Sequence, residues 1–467
     1  MKNADKTLRL GIVPTRREAF SHPLAFEQKK EIIAKMRELE STLHFTGVYV
    51  EDLNEEGLLM RYDEAFTVAE KMREAKVDAL FIPHCNFGEE SAVARLAKEL
   101  DVPVLIWGPR DGVPNGLEWR PTDSQCGMFA STKVLQRYGV TFSYIENCEL
   151  DSPIFQKEFA SFLAVAQVVK AFRGLRIAVI STRPQPFLSV MVNEAELLEK
   201  FGIELVPAES AVILAMIKQQ MENKEALEKL LAELVESGLD IEPLGEKKYT
   251  LAAMELGLME FAKKHNCSAI SCECWTMFAK NLGLGACFML GDLNDRGIPA
   301  ACENDIHAAI ASVMATAAAR YASPSFVADL TIRHPENDNA ELLWHCGPFA
   351  KSLIRKNAKG YITPQGKGFY EIEHGEYTVL RFDGLKGQYY LFAGTGHGVE
   401  GPLTNGNYLW LETDNWPKWE KKFIFGPYIH HVVGIPGDHV AVIREACRYL
   451  GLHFDSPDDP NFVYDLT

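Results

Sequence analysis

The sequence predicts an α/β protein with a β-rich C-terminal domain, and three observations support this fold class. In the first third of the chain, short apolar runs alternate with amphipathic helical segments. The same alternation begins again near residue 174, and after about residue 325 polar and apolar residues alternate instead. Unbroken apolar strands between helices are typical of a parallel sheet covered on both faces, whereas a period of two is typical of antiparallel hairpins. We therefore expect three domains, covering residues 1–173, 174–325 and 326–467.

The first domain is predicted from four apolar runs and the helical segments between them. LRLGIVPT, at residues 8–15, is followed by a charged helical stretch over about 24–40. FTGVYVE, VDALFIPHC and VPVLIWGP are the other strand candidates, and residues 62–75 and 89–100 have the period of amphipathic helices. Strands that alternate with helices in this way indicate a parallel sheet.

The second domain is predicted because the same pattern begins again. A long helix candidate at 155–172 ends before Gly174, and LRIAVIST at 175–182 repeats the character of the first strand. The later elements are a helix at 251–264, a strand in CSAISCECW, two strand-like pieces in GACFMLGDLNDRGIPAACEND and an Ala-rich helix at 306–321.

The third domain has a different pattern. Residues 361–398 alternate polar and apolar side chains around glycine-containing turns, as in VLRFDG and QYYLFAG, which predicts β-hairpins. A single helix is predicted at about 439–450. A mostly antiparallel domain with one helix is the simplest interpretation.

Composition excludes several classes of partner. The 467 residues carry a formal net charge of −16, and an acidic surface repels nucleic acid and anionic membranes. No apolar run approaches the roughly 20 residues of a membrane span, and the N-terminus is too polar for a signal peptide. The ten cysteines are scattered, several of them in apolar runs, so we expect a protein of the reducing cytoplasm.

Polar clusters follow several predicted strands, where parallel sheets bind ligands. They are PTRR with Arg16 and Arg17, HCNFGEE with Asn86, WGPRDG with Arg110, and STRPQP with Arg183. Arginines at strand ends suggest an oxygen-rich or anionic ligand, but capping of a helix or pairing with an acid is equally expected. No glycine-rich phosphate-binding motif follows the first strand, and no P-loop motif occurs, so no nucleotide cofactor is expected.

Acids and histidines near the later strands suggest a metal site. Glu273 lies between two cysteines, and Glu303 and Asp305 would face the same side of an extended chain. Alternatively, Asp305 caps the helix that follows it. His345, His430 and His431 are further candidates, and neighbouring histidines in a strand should point to opposite faces.

Two acids and a histidine suit Mn²⁺ or Mg²⁺ better than a structural zinc. A rival set of zinc ligands consists of Cys272, Cys274, Cys287 and Cys302, although its spacing is not that of paired CxxC motifs.

Three segments together resemble the L-fucose isomerase-like family, which is related to L-arabinose isomerase. They are WGPRDGVPNGLEWRPTDSQCGMFASTKVLQRYGVTFSYIEN, GACFMLGDLNDRGIPAACENDIHAA and the later HCG. The resemblance implies two Rossmann-like α/β domains and a β-rich C-terminal domain. It also implies a divalent metal, usually Mn²⁺ with Mg²⁺ or Co²⁺ as alternatives, and interconversion of an aldose and a ketose. Trimers or hexamers are implied, with a neighbouring subunit completing the active site.

The resemblance also assigns residues. Asp305 and Glu273 match metal-binding acids and are predicted to be both ligands and the catalytic pair, with Glu303 in reserve. His431 is the predicted histidine ligand. The predicted contacts with the sugar are Arg16, Arg17, Asn86, Arg110, Trp119, His345 and His430. One carboxylate would carry a proton between C2 and C1 through a cis-enediolate while the metal stabilises the developing charge.

Two alternatives remain open. The same chemistry could act on an anionic sugar such as a sulfonated hexose, with Arg16, Arg17, Arg110 or Arg183 as its clamp. A non-catalytic sugar-binding protein is the other alternative, because paired Rossmann-like domains also build such receptors.

Overall fold

The computed structural model describes residues 6–460 apart from 21, 115, 117–119, 121 and 357. The chain divides between Lys170 and Ala171 into two compact units, called here the first unit and the second unit. The predicted first domain ends close to this division, and the other two predicted domains both lie in the second unit.

The first unit contains a five-stranded parallel sheet in the order β2-β1-β3-β4-β5. Its elements are β1 (Leu8–Ile12), α1 (His22–Thr42), β2 (Phe45–Tyr49), α2 (Glu64–Glu74), β3 (Ala79–Pro83), α3 (Glu90–Leu100), β4 (Val104–Trp107), α4 (Ser124–Arg137), β5 (Ser143–Tyr144) and α5 (Pro153–Phe172), whose last residues continue into the second unit.

Both faces of this sheet are buried, which explains why its strands read as unbroken apolar runs. Alternate residues of β3 enter different cores, with Ala79 and Phe81 in one cluster and Leu80 and Ile82 in the other. Helices therefore cover the sheet on both sides, as the sequence predicts.

The second unit begins with a four-stranded parallel sheet in the order β7-β6-β8-β9. The elements of this part are β6 (Arg176–Ile180), α6 (Glu194–Phe201), β7 (Glu204–Ala208), α7 (Ser210–Gln220), α8 (Lys224–Glu236), α9 (Lys247–Lys264), β8 (Ala269–Cys272), α10 (Met277–Leu282), α11 (Cys287–Asp295), β9 (Ala300–Cys302) and α12 (Ile306–Ala318).

The rest of the second unit is built on a nine-stranded, mostly antiparallel sheet in the order β12-β13-β16-β11-β10-β17-β14-β15-β18. The elements are β10 (Phe326–Arg333), β11 (Ala340–His345), β12 (Tyr361–Ile362), β13 (Gly368–Glu371), β14 (Glu376–Leu385), β15 (Gln388–Val399), β16 (Asn407–Glu412), α13 (Trp416–Phe425), β17 (His431–Pro436), α14 (Val440–Leu450) and β18 (His453–Asp455). Pairing of β15 with β16 closes six of the strands into a barrel. The predicted fold class is confirmed.

Two elements differ from the prediction. The run that contains Cys287 is the helix α11 rather than a strand, because a short apolar run that is buried all round has no period to distinguish the two. The helix α13 was not expected. Its start is marked by Asn415, whose side chain accepts a hydrogen bond from the Lys418 N–H, and by Pro417 in its first turn.

Helix α12 connects the two parts of the second unit. All its residues are buried, and it contacts β8 and β9 of the parallel sheet as well as β14 and β17 of the barrel. Side chains at its N-terminus therefore lie close to both layers. Within the part of the chain that the structure describes, no helix has the length and apolar character required to span a bilayer.

Close packing of α11 against the segment after β11 yields a first prediction. A Cβ at Gly291 would lie 2.2 Å from the Phe349 carbonyl oxygen and 2.7 Å from that of Gly347. Gly291→Ala must push these backbones apart, and overpacking of this kind costs about 1–3 kcal/mol. We expect a lower midpoint of urea unfolding.

Gly112→Ala is the matched control, because a Cβ at this exposed position meets no atom within 4 Å. An equal midpoint in the two variants would contradict the steric argument.

Candidate active site

Two parallel strands of the second unit end at the same edge, and each is followed by a glutamate. β8 leads into Glu273 and β9 into Glu303. Glu303 and Asn304 have φ angles of +60° and +53°, in the left-handed region that L residues seldom adopt. The chain therefore turns sharply after β9, instead of continuing as the extended segment that was assumed for Glu303 and Asp305.

Asp305 lies at the N-terminus of α12 and is fully buried. One carboxylate oxygen accepts a hydrogen bond from the Ala308 N–H at 2.9 Å, so the residue is a helix cap. The other oxygen lies 2.5 Å from Nη1 of Arg381 and 2.8 Å from Nδ1 of His431. Asp305 therefore caps α12 with one oxygen and contacts His431 with the other.

Arg381 compensates the buried charges. It lies on β14, is fully buried, and also donates from Nε to Asp383 at 2.9 Å. Burial by itself would raise the pKa of Asp305, but the Arg381 charge and the His431 hydrogen bond outweigh it and hold that pKa well below its usual range. Asp305 is therefore a carboxylate.

The contact with Asp305 fixes the tautomer of His431. Since Nδ1 donates to a carboxylate, the neutral ring carries its lone pair on Nε2. Nε2 lies 3.0 Å from Oε2 of Glu303 and 3.4 Å from Oδ1 of Asp329. Burial would lower the pKa of His431, but its hydrogen bonds with Asp305 and Glu303 outweigh this and raise that pKa to about 9. The position between Nε2 and the two carboxylates is therefore suited to a positive charge, either a proton or a cation.

Asp329 was not predicted. It lies on β10 directly opposite His431 on β17 and opposite Trp344 on β11, so these side chains share one face of the sheet. Its Oδ1 is buried without a hydrogen-bond partner among the described residues. The one signal in the sequence is a single acid within the apolar run FVADLTI.

His345 faces the same atoms but differs from His431 in its tautomer. Its Nδ1 accepts a hydrogen bond from the Cys346 N–H at 2.8 Å, so the neutral ring carries its proton on Nε2. Burial would lower the pKa of His345, but the Asp329 charge outweighs this and raises that pKa to about 9. His345 is thus a donor toward the site. The donor atoms of Glu303, His345 and His431 lie within 4.8 Å of one another.

His430 also lies at this position. One ring nitrogen of His430, one oxygen of Asp329 and one ring nitrogen of His431 all lie within 4.8 Å of one another. The ring is more exposed than that of His431. Both members of the histidine pair therefore approach the site, although alternation in a regular strand predicts opposite faces.

A cavity of about 480 Å³ opens onto this cluster, within the range of roughly 300–1,000 Å³ that is usual for small-molecule sites. Trp275 stands on its wall, 44% exposed, and donates from Nε1 to Oε1 of Glu303 at 2.7 Å. The lining residues used below are Trp275, Glu303, Asp329, His345, Gln365 and Lys367.

Glu273 is held by its own loop. Its Oε1 accepts from the N–H groups of Trp275 and Thr276 at 2.8 and 2.9 Å, and its Oε2 accepts from that of Met277 at 2.9 Å. These bonds cap the start of α10. Glu273 is not among the groups of potential metal ligands that the described residues form, so its assignment as a ligand stays a prediction without support from its contacts.

The predicted arginines and Asn86 in the first unit are engaged locally. Arg16 pairs with Glu56 at 2.5 Å, and Arg17 lies 3.3 Å from Glu89. Asn86 accepts a hydrogen bond from the Arg17 N–H at 2.8 Å. Both arginines therefore form ion pairs with nearby acids, which was the alternative to binding a ligand.

The remaining predicted residues lie elsewhere. Arg110 lines a separate cavity of about 710 Å³ in the first unit. Arg183 donates to the carbonyl oxygens of Pro184, Gln185 and Phe187. Trp119 lies outside the described residues.

The rival cysteine set does not form a metal site. Sγ of Cys287 lies 3.0 Å from that of Cys346, and Sγ of Cys302 lies 2.9 Å from Nε2 of His345. Among the residues that the structure describes, the groups close enough to share an ion contain only acids and histidines.

Comparisons with known proteins identify relatives of this chain. Residues 11–173 match the family model of the fucose/sulfoquinovose isomerase N-terminal domain. The chain is 25% identical over 331 residues to a sulfoquinovose isomerase of Alkalicoccus urumqiensis, covering 70% of this chain and 73% of the relative. It is 24% identical over 385 residues to that of Priestia aryabhattai, covering 81% and 85%.

These matches place relatives of this chain in the fucose isomerase-like family. A further relative, a sulfoquinovose isomerase of Clostridium sp. strain MSTE9, is 26% identical over 277 residues, which cover 59% of this chain and 61% of the relative. The family resemblance drawn from the sequence is confirmed.

The buried Arg381 is expected to be essential for stability. Arg381→Met leaves Asp305 and Asp383 without their shared cation, and removal of one partner from a buried ion pair costs about 3–5 kcal/mol. The free energy of unfolding of the metal-free protein, measured in urea, should fall by that order. Arg37→Met, which breaks the exposed pair with Glu51 and a cation–π contact with Tyr49, should lower it by no more than about 1 kcal/mol. A comparable loss in both variants would refute the argument.

The same cluster makes stability depend on pH. Burial raises the pKa of Asp383, but Arg381 and His307 outweigh it, so the folded pKa lies below the usual value. In acid the unfolded chain therefore binds more protons at Asp383 than the folded protein does. The contribution of this carboxylate to the free energy of unfolding is complete above about pH 4 and is lost as the pH falls. Asp383→Asn should reduce the slope of unfolding free energy against pH by up to about 1.4 kcal/mol per pH unit in this range.

Urea titrations of the metal-free protein at a series of pH values measure this slope. Asp414→Asn is the control, since it replaces an exposed carboxylate that forms no ion pair among the described residues. The assignment would be wrong if Asp383→Asn kept the wild-type slope.

Proposed function

We propose that this protein is a metal-dependent aldose–ketose isomerase that acts on sulfoquinovose, a glucose with a sulfonate in place of the C6 hydroxyl. The observation that carries the proposal is that the carboxylates of Glu303 and Asp329 each face Nε2 of His431 beside a cavity of about 480 Å³. The sulfoquinovose isomerases among the relatives support the choice of substrate.

The donor set fits a divalent cation of the Mn²⁺ type, with Mg²⁺ or Co²⁺ as alternatives. Nε2 of His431 and Oδ1 of Asp329 are buried, and carboxylate oxygens of Glu303 and Asp329 both face this nitrogen, so the position between them is suited to a positive charge. Carboxylate oxygens and imidazole nitrogens together suit a hard cation. Glu303 with His345 and His431, or Asp329 with His430 and His431, would hold it, and Asp305 would orient His431 from behind.

A bound cation of this kind would act as a Lewis acid on the two sugar oxygens next to the reacting carbons. Isomerisation then requires that a base move a proton from C2 to C1 through a cis-enediolate, while the hydroxyl proton passes from O2 to O1. Glu303 and Asp329 both line the cavity, and we assign this transfer to one of these two carboxylates.

Other side chains would orient the sugar and the base. His345 lines the cavity, with its Nε2 2.9 Å from Sγ of Cys302 and 3.9 Å from Oδ1 of Asp329, and would contact the substrate or the cation. Trp275 holds one oxygen of Glu303, and its exposed ring offers an apolar face to the sugar. Assembly into trimers or hexamers and a cytoplasmic location are further parts of the proposal, and they rest on the family resemblance and on composition.

Two glutamates at neighbouring strand ends give a direct test. Glu303→Gln should lower kcat by about 10³-fold, because it removes a carboxylate that is a ligand and a candidate base, and it should weaken Mn²⁺ binding. Glu273→Gln should retain Mn²⁺ affinity and most of the activity, since its carboxylate caps α10. Turnover of sulfoquinovose in D₂O, followed by NMR, and Mn²⁺ titration by calorimetry measure both effects.

Wild-type protein should lose activity in EDTA, regain it with Mn²⁺, and incorporate deuterium next to the carbonyl. A sugar-binding protein would bind the sugar without exchange, and that result would rule out the isomerase. Wild-type metal affinity in Glu303→Gln, together with its loss in Glu273→Gln, would instead favour Glu273 as the ligand.

A further inference from the structure

We propose that Lys367 is the residue that recognises the sulfonate group of the substrate. This inference rests on the proposed function and names a determinant of specificity that the sequence pattern did not suggest. Lys367 directly precedes β13 and lines the same cavity as Glu303 and Asp329.

The acids on the cavity wall and the negative charge of the sulfonate favour a positively charged side chain in the cavity. Glu303 and Asp329 are acids on its wall, and a sulfonated sugar carries a permanent negative charge that they repel. Among the residues lining the cavity, Lys367 is the single lysine or arginine. An ammonium group has three donors, which match the three acceptor oxygens of a sulfonate.

The ammonium group of Lys367 is available for a ligand. In the described part of the chain it forms no ion pair with Glu303, Asp329 or any other acid, and the side chain is exposed. Its charge nevertheless acts inside the cavity. A hydrogen bond with Cys274 and burial raise the pKa of the Cys287 thiol, and the positive charge of Lys367 opposes this rise.

The turn that carries Lys367 is fixed to the cavity wall. The Gly285 N–H donates to the Gln365 carbonyl at 2.7 Å, and the Phe288 N–H donates to that of Gly366 at 3.2 Å. Gly366 has a φ of +79°, and a Cβ there would lie 2.6 Å from the Gly285 carbonyl oxygen. The backbone of Lys367 is therefore held in place, while its side chain can follow the ligand.

The other candidate cation of the second unit is already bound. Arg183, part of the predicted anion clamp, uses its Nη1 on three backbone carbonyls and does not line the cavity. A clamp built from Arg183 would first have to break these bonds, whereas Lys367 needs no such change.

Kinetics and direct binding of sulfoquinovose to the Mn²⁺-loaded full chain test the assignment. Lys367→Gln should raise KM and Kd by about tenfold or more, with kcat changed less than about threefold, because the lost contact is made equally in the ground and transition states. Lys367→Arg should restore most of the affinity. Lys356→Gln, which removes an exposed lysine of the same unit outside the cavity, is the matched control.

Several outcomes would overturn the proposal. They are unchanged KM and Kd in Lys367→Gln, an equal effect of Lys356→Gln, or weakened Mn²⁺ binding in Lys367→Gln that accounts for the change. If the wild-type protein binds sulfoquinovose without converting it, the isomerase proposal fails and the comparison of Kd values still decides the role of Lys367. Absence of both binding and conversion would refute the two proposals together.

Discussion

The site depends on one buried ion cluster, in which Arg381 pairs with Asp305 and Asp383. A carboxylate at the N-terminus of α12 is fully buried there and would be protonated or displaced without this cation. Because Asp305 remains charged, it holds Nδ1 of His431, and Nε2 of that ring must face Glu303 and Asp329. The orientation of the histidine thus follows from a salt bridge on its far side.

This cluster also connects the layers of the second unit. Asp305 belongs to the helix that follows the parallel sheet, while Arg381 and His431 belong to barrel strands β14 and β17. Glu303 comes from the sheet edge and Asp329 from barrel strand β10. Residues far apart in sequence meet because α12 packs against both layers, so the same contacts that stabilise the fold assemble the acids and histidines.

The acids at the sheet edge divide their roles according to what already binds them. Glu273 and Asp305 accept hydrogen bonds from backbone N–H groups at helix starts, where carboxylates are stabilised. Glu303 and Asp329 have oxygens that face Nε2 of His431. In the proposed mechanism, acids of the first kind would orient the site, and acids of the second kind would bind a cation or move a proton.

The sequence by itself determined the fold class and most of the strands and helices, and it predicted the family resemblance and His431 as a site residue, because periodicity and local motifs are properties of neighbouring residues. It also led to the segment CEND, but it favoured Asp305 as the ligand and kept Glu303 in reserve. The positions of these two acids depended on the left-handed turn at Glu303 and Asn304, which no local pattern predicts. Asp329 and Lys367 entered the site only through strand register and the docking of a turn, since these contacts join residues that are distant in the chain.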